Sequence, residues 1–228
     1  MAASGTYTWQ LNIADIIEDA YELAGWEGVS GYDAETARRS LNVLLTEWLS
    51  EGINLWTLEQ TTVDLVDGTP SYSMSTRLID IVEITLLNST TYTSLEPISI
   101  EEYHNIPNKA QEGLPSQYAV NHTATKTIYL FPTPNSSTLD LKVWGVRRIQ
   151  DVATSAEDPD VPHRFIPALI LGLAWKLAAK KPVNSNLEAA QAEADRIDRL
   201  ERWYVQAFDK ARGMDKENAS LYIRPKVR

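Results

Sequence analysis

The chain has 228 residues, 43% of them hydrophobic, enough to bury one compact core or two small ones and too many for a disordered chain. It contains no cysteine, which excludes disulfides, thiolate nucleophiles and cysteine-ligated metals and suits assembly in a reducing cytoplasm. The formal net charge is −10: residues 1–200 carry 14 basic against 27 acidic side chains and residues 201–228 carry 7 against 4. Such an acidic body disfavours tight wrapping of duplex DNA, which needs clustered Lys and Arg, and only the C-terminus favours an acidic partner.

Met1 to Gln10 lacks a basic region followed by an apolar stretch and reads as no signal peptide. The first helix signal starts at the cap Asn12 and sets Ile13, Ile16, Ile17, Ala20 and Leu23 on one stripe before Gly25. Asp15, Glu18, Asp19 and Glu22 make its other face acidic. A second helix is predicted from the cap Asp33 to Gly52, with Ala37, Leu41, Leu44, Leu45, Trp48 and Leu49 at three- and four-residue spacing. The glycine-rich turn Gly25 to Gly31 would join the two as an antiparallel hairpin.

From Leu58 to Arg148 the helical period fades and runs of Val, Ile, Thr and Tyr alternate with turn residues. The predicted strands are Thr61 to Val66, Ile79 to Leu87, Gln117 to Asn121, Lys126 to Phe131 and Thr138 to Val146, forming a small antiparallel region. Their punctuation is Asp67-Gly68, Asn88-Ser89-Thr90, Gly113-Leu114-Pro115 and Pro132-Thr133-Pro134-Asn135. One short helix interrupts them, with Ser99 as cap, Glu102 completing a capping box and Pro107 as terminator.

Helix character returns after Asp160, with the regular helix beginning near His163 or Arg164 and Pro162 and Pro167 bracketing its start. Phe165 to Ala179 is apolar nearly all round, as befits a helix central to a bundle, and Lys180 and Lys181 suit the negative end of its dipole. Its apolar run is shorter than the roughly 20 residues a bilayer requires, so no membrane span is expected. The last helix runs from Leu187 to Arg212 with Ala190, Ala194, Ile197, Tyr204, Ala207, Phe208 and Ala211 as its seam, and Gly213 ends it.

No phosphate-binding Gly-Lys loop, dinucleotide glycine fingerprint, nucleophile-elbow serine or paired-histidine zinc helix is present, so no enzyme activity is expected. His104, His122 and His163 lack partners at ligand spacing, so neither a metal nor another cofactor is expected. The acidic group Glu157-Asp158-Pro159-Asp160 reads as capping and dipole compensation for the helix that follows it, rather than as a cation loop. Trp9, Trp26, Trp56 and Trp144 lie outside the helix stripes, where each is either an interface anchor or the cover of a core edge. Arg147 and Arg148 end a strand and could touch nucleic acid, though pairing with carboxylates of the same or a neighbouring subunit suits them better. In the tail, Leu221, Tyr222 and Ile223 lie beside Arg224, Pro225, Lys226, Val227 and Arg228, either an extended peptide that docks on a partner or a solvent-exposed terminus.

Four stretches stand in order along residues 12–228: Ala37 to Trp48 with Glu51 to Trp56, Glu102 to Lys109 with Gly113 to Tyr118, Ile128 to Pro134 leading to Trp144 and Arg147 to Asp151, and Asp160 to Leu169. Together they resemble the head-to-tail adaptors of short-tailed phages (podoviruses), also called tail accessory factors or packaged-DNA stabilisation proteins. The resemblance implies an α+β fold in which N- and C-terminal helices form a helical bundle, with a central antiparallel β-rich insertion and an extended C-terminal tail. The corresponding segments are 1–57 and 151–213 for the bundle, 58–150 for the β-rich region with its short helix, and 214–228 for the basic tail. It further implies a homo-oligomeric ring of twelve copies under the portal protein, extending the DNA channel and receiving the tail nozzle or needle. By the same implication the tail residues Leu221 to Arg228 meet the portal, while the β region, including Trp144, Arg147 and Arg148, meets neighbouring subunits or the tail. Genomic DNA would pass without sequence-specific contacts, and the chain would reside in the virion neck after assembly in the host cytoplasm. The alternative is a DNA-binding packaging component such as a terminase small subunit, using Arg38-Arg39, Arg147-Arg148 or the basic tail; a small carboxylate hydrolase is a third reading.

Overall fold

A computed structural model describes residues 11–26, 31–51, 55–181 and 186–215. Its contacts divide the chain into a discontinuous unit, Met1–Trp56 with Ile149–Arg228, and a continuous one, Thr57–Arg148. Helix α1 spans Ile13–Ala24 between two defined caps. The Asn12 side chain accepts from the Asp15 N–H at 2.9 Å, and Gly25 closes the helix in the left-handed conformation at φ 75°. Ile13, Ile16, Ile17, Ala20, Tyr21 and Ala24 form the buried stripe. Leu23 was expected on it but is 40% exposed, because it lies about 90° from the middle of that stripe on a helix of 3.6 residues per turn.

Helix α2 spans Gly31–Ser50, so it begins two residues before the expected cap Asp33, which lies in its first turn. Ala37, Leu41, Leu44, Leu45 and Trp48 are buried and Leu49 packs at their edge. Gly52, the expected C-terminal cap, lies outside the described residues, as do Trp9 and Leu221 to Arg228. A 3-10 turn, Leu55–Thr57, follows.

The continuous unit is mostly strand. Its elements are β1 (Leu58–Asp64), β2 (Ser71–Ser73), β3 (Leu78–Asn88), β4 (Thr91–Ser94), β5 (Glu96–Pro97), helix α3 (Ile100–Asn105), β6 (Glu112–Gly113), β7 (Gln117–Asn121), β8 (Thr127–Phe131), β9 (Thr133–Pro134) and β10 (Leu139–Arg147). They form sheets of order β1-β10-β3-β4 and β2-β8-β7-β5 and a two-stranded pair β6-β9. The long pairings are antiparallel as expected, but the short pairings β5 with β7 and β6 with β9 are parallel. β1 starts three residues earlier than its sequence signal, because register with β10 continues from Asp64↔Asp140 back to Leu58↔Val146.

One apolar cluster serves both larger sheets. Ile84 and Leu86 of β3, Leu141 and Val143 of β10, Ile128 and Leu130 of β8 and Tyr118 of β7 belong to it. Those of β3, β8 and β10 alternate along their strands with less buried residues, which is what a two-residue period places on one face. α3 is fixed by its capping box: Glu102 N–H donates to Ser99 Oγ at 3.1 Å and the Ser99 N–H to Glu102 Oε2 at 2.7 Å.

After a 3-10 turn, His163–Phe165, helix α4 spans Ile166–Ala178 with Pro167 in its first turn. It packs against α1, α2 and the last helix, α5, which spans Leu187–Met214 from the cap Asn186. Contact on several sides explains why α4 is apolar nearly all round: Ala168, Leu169, Leu173 and Ala174 are 0% exposed. Each buried leucine contributes about 1.5–3 kcal/mol relative to exposure. On α5 the buried residues are Leu200, Tyr204, Phe208 and Ala211, with Ile197 and Ala207 at the edge. Leu200 was not expected, whereas Ala194 of the expected seam is exposed. Gly213, expected to end the helix, is inside it: the helix continues to Met214, and in its last turn Arg212 Nη2 donates to the carbonyl of Glu51, the residue after α2, at 3.0 Å.

Candidate interaction surfaces

β10 is a central strand whose last residues include Trp144 and Arg147, with Arg148 directly after it. Through Val143 its inward residues are the odd-numbered Leu139, Leu141 and Val143. The register against β3 then shifts between Trp144 and Gly145 and again between Val146 and Arg147. At the shift Gly145 lies so close to β3 that a Cβ would sit 2.6 Å from the Asp80 carbonyl oxygen and 2.4 Å from Leu78 Cδ1. Trp144, opposite Gln60 on β1 and Glu83 on β3, is left 41% exposed.

Arg147 and Arg148 differ in their surroundings. Arg147 is largely buried: its Nε is 3.8 Å from Glu59 Oε2, and its Nη1 donates to the Arg148 carbonyl at 3.0 Å. Arg77 Nη2 reaches the same Glu59 oxygen at 2.9 Å, so one carboxylate stands between two guanidinium groups. Arg148 is exposed, and its backbone N–H donates to the Arg77 carbonyl at 2.7 Å. No ion pair to the Arg148 side chain occurs among the described residues. Trp144 and Arg148 are thus exposed here, whereas Arg147 is turned to Glu59.

In the discontinuous unit the acidic loop works differently from expectation. Glu157 caps its own preceding turn, its Oε2 accepting from the N–H groups of Ala153 (3.0 Å) and Thr154 (3.2 Å). Those bonds, first to Thr154 and then to Ala153, hold its carboxyl below the usual range. Asp160 Oδ2 accepts from the Gln150 N–H at 2.9 Å, and the loop carbonyls of Glu157 and Ser155 accept from Ile13 and Ala14 at the start of α1. The Glu157 and Asp160 carboxylates therefore tie down the loop before α4, and the Glu157 and Ser155 carbonyls help begin α1. Arg38 is occupied too, donating through Nη1 to the Ala153 carbonyl.

A cleft of about 640 Å³ beside α1 is lined by Ile17, Glu18, Tyr21, Glu22, Trp26 and Ser155 among others. Among the described residues that line it there is no histidine or lysine. Among the described residues no group of three or more His, Cys, Asp or Glu is placed to hold a metal ion, and no helix is long and apolar enough to cross a membrane.

Trp26 packs edge-on to Tyr21 at 5.7 Å and Trp56 lies 6.0 Å from Phe165, so both cover edges of the helical core. A further exposed aromatic was missed in the sequence: Trp203 on α5 is 47% exposed, with Arg199 over its ring at 5.7 Å. The signal was there, since an Arg four residues before a Trp on the polar side of a helix places the two side by side.

The family model described as SU10 adaptor protein matches residues 7–224. Comparison with curated proteins returns no match. The family match takes in the helices, both large sheets and most of the tail, and by it the chain belongs to the SU10 adaptor protein family, a family of phage head-to-tail adaptors.

Proposed function

We propose that this chain forms a ring beneath the portal protein, extends the DNA channel and provides the attachment site for the tail nozzle or needle. The observation that carries the reading is the family match over residues 7–224. That family is one of structural phage adaptors, not of enzymes. In this reading α1, α2, α4 and α5 form a bundle and twelve copies close the ring, assembled in the host cytoplasm and retained in the virion neck. The surplus of acidic side chains over residues 1–200 supports passage of genomic DNA, since a wall that repels phosphates does not hold them.

The tail supplies the portal contact through Leu221 to Arg228, with Leu221, Tyr222 and Ile223 as apolar anchors and Arg224, Lys226 and Arg228 as charged ones. Trp144, Arg147 and Arg148 face a neighbouring subunit or the tail, Trp144 and Arg148 being the exposed members.

Mixing the purified chain with the portal of the same phage and examining the product by mass photometry and electron microscopy tests the proposal. A ring of added mass stacked on the portal is expected, and it gives the subunit count. Deletion of residues 220–228 should weaken portal binding at least tenfold while leaving helical circular dichroism unchanged. Absence of any complex with the portal, together with a salt-dependent shift of duplex DNA, would overturn the adaptor reading in favour of a packaging component.

A further inference from the structure

Helix α5 carries a face that its own unit does not use. Arg199, Trp203 and Lys210 are spaced by four and seven residues, which places them within about 40° of one another on a helix of 3.6 residues per turn. That stripe is turned about a third of a turn from the buried Leu200, Tyr204, Phe208 and Ala211. All three are exposed, Trp203 by 47%, and the Arg199 guanidinium lies 5.7 Å over the Trp203 ring. Neither Arg199 nor Lys210 takes part in an ion pair among the described residues. An exposed tryptophan flanked by unpaired cations has the composition of an interface anchor, not of a solvated helix face.

The same unit carries the complement. Glu18, Asp19 and Glu22 stand on the exposed side of α1, and none of them has an ion pair among the described residues. α1 and α5 each pack on α4, and the two charged faces do not pair within one copy. We infer that the Arg199–Trp203–Lys210 stripe of α5 docks on the Glu18–Asp19–Glu22 face of α1 in a second copy of this chain. Because the two faces differ, each copy offers one of each, and the contact is head-to-tail, the kind that closes into a ring when the rotation between copies allows. Opposite charges across it would steer association and set its register. The inference rests on the ring reading above and names the faces that would make the ring.

Charge reversal at exposed positions tests it. The wild-type chain, Arg199→Glu/Lys210→Glu, Glu18→Lys/Glu22→Lys and the chain with all four changes are each titrated onto the same phage's portal. Mass photometry reads the number of subunits bound, and circular dichroism and thermal melts verify folding. Each double variant is expected to need at least tenfold more protein to complete the ring, and the fourfold variant, with charges exchanged across the contact, to recover most of that loss. Trp203→Ala should weaken assembly without recovery by any α1 change. Folded double variants that assemble like wild type, or a fourfold variant no better than the doubles, would overturn this interface while leaving the ring reading intact. A wild-type chain that binds the portal without ordered copies around it would overturn both.

Discussion

The indole Nε1 of Trp48 on α2 donates a 2.9 Å hydrogen bond to the phenol oxygen of Tyr204 on α5, with both side chains inside the helical core. Trp48 is 1% exposed and also lies against Phe165 and Phe208, with centroids 5.6 and 5.2 Å away. Tyr204→Phe keeps the ring and removes the acceptor of this buried bond, which costs about 1–3 kcal/mol. Trp48→Phe removes the donor and also leaves a void, so it should cost more. The double variant should lose less than the sum of the two, with a coupling of about 0.5–3 kcal/mol by urea denaturation. Additive losses would show that the bond contributes nothing.

Tyr204 also makes the helical unit sensitive to alkali. Burial pushes its phenol up to about 12, opposed by the bond from Trp48 and aided by the carboxylates of Glu51 and Glu47. Tyr21, whose hydroxyl donates to the Asp33 carbonyl at 2.7 Å, is likewise pushed up to about 12, chiefly by burial and further by Asp33. Both folded values exceed the ordinary value near 10, so the folded state holds these protons more tightly than the unfolded chain. Their contribution is complete below pH 10 and is lost as pH rises through about 12. The urea midpoint should therefore be flat from pH 8 to 10 and fall steeply above it. Tyr204→Phe should blunt that fall, and an equally steep fall in the variant would assign it to other groups.

Much of the fold was legible where the decisive bond is local. The Asn12 cap spans three residues, as does the Ser99–Glu102 box, and both are where the sequence places them. β7 begins and ends as its Gln117 to Asn121 signal does, because turn residues bound it on both sides. What the sequence hides depends on distant partners. β2, β5, β6 and β9 are two or three residues long, too short to show a period, and exist through pairing with strands elsewhere in the chain. The start of α2 was misplaced because Asp33 satisfies the cap pattern two residues inside the helix. The role of Glu157 was misassigned for a similar reason: its carboxylate turns back to Ala153 and Thr154 instead of forward to α4. Of the candidate site, exposure separated what adjacency had joined, since Arg147 is turned to Glu59 and Arg148 is not.

Gly145 sets how Trp144 is presented. A methyl group there would meet the Asp80 carbonyl oxygen at 2.6 Å, and backbone cannot move aside as a side-chain tip can. Gly145→Ala should therefore destabilise the β-rich unit by about 1–3 kcal/mol despite the modest size of the change. It should also alter the exposed Trp144, so that acrylamide quenching of its fluorescence changes relative to a Trp144→Phe background. An unchanged melt and unchanged quenching would mean that β3 and β10 accommodate the methyl without shifting the bulge.

Asp215 joins three parts of the helical unit just before the tail. Its side chain is 4% exposed, one oxygen pairs with Arg164 at the turn leading to α4, and the other accepts from the Leu55 N–H at 2.9 Å. Asp215→Ala strands the Leu55 donor and frees Arg164, and hydrogen bonds to a charged group contribute about 1.5–3 kcal/mol each way they are lost. The whole unit should melt lower, and amide exchange should quicken first in the last turn of α5, near Arg212 and Met214. If the tail docks on the portal from a fixed origin, Asp215→Ala should weaken portal binding although residues 220–228 are intact, because a loosened last turn adds ordering entropy to the bound state. Arg164→Ala should reproduce part of the stability loss and part of the binding loss together. Portal affinity that stays at the wild-type value while the last turn exchanges faster would show that the tail binds independently of the helix that carries it.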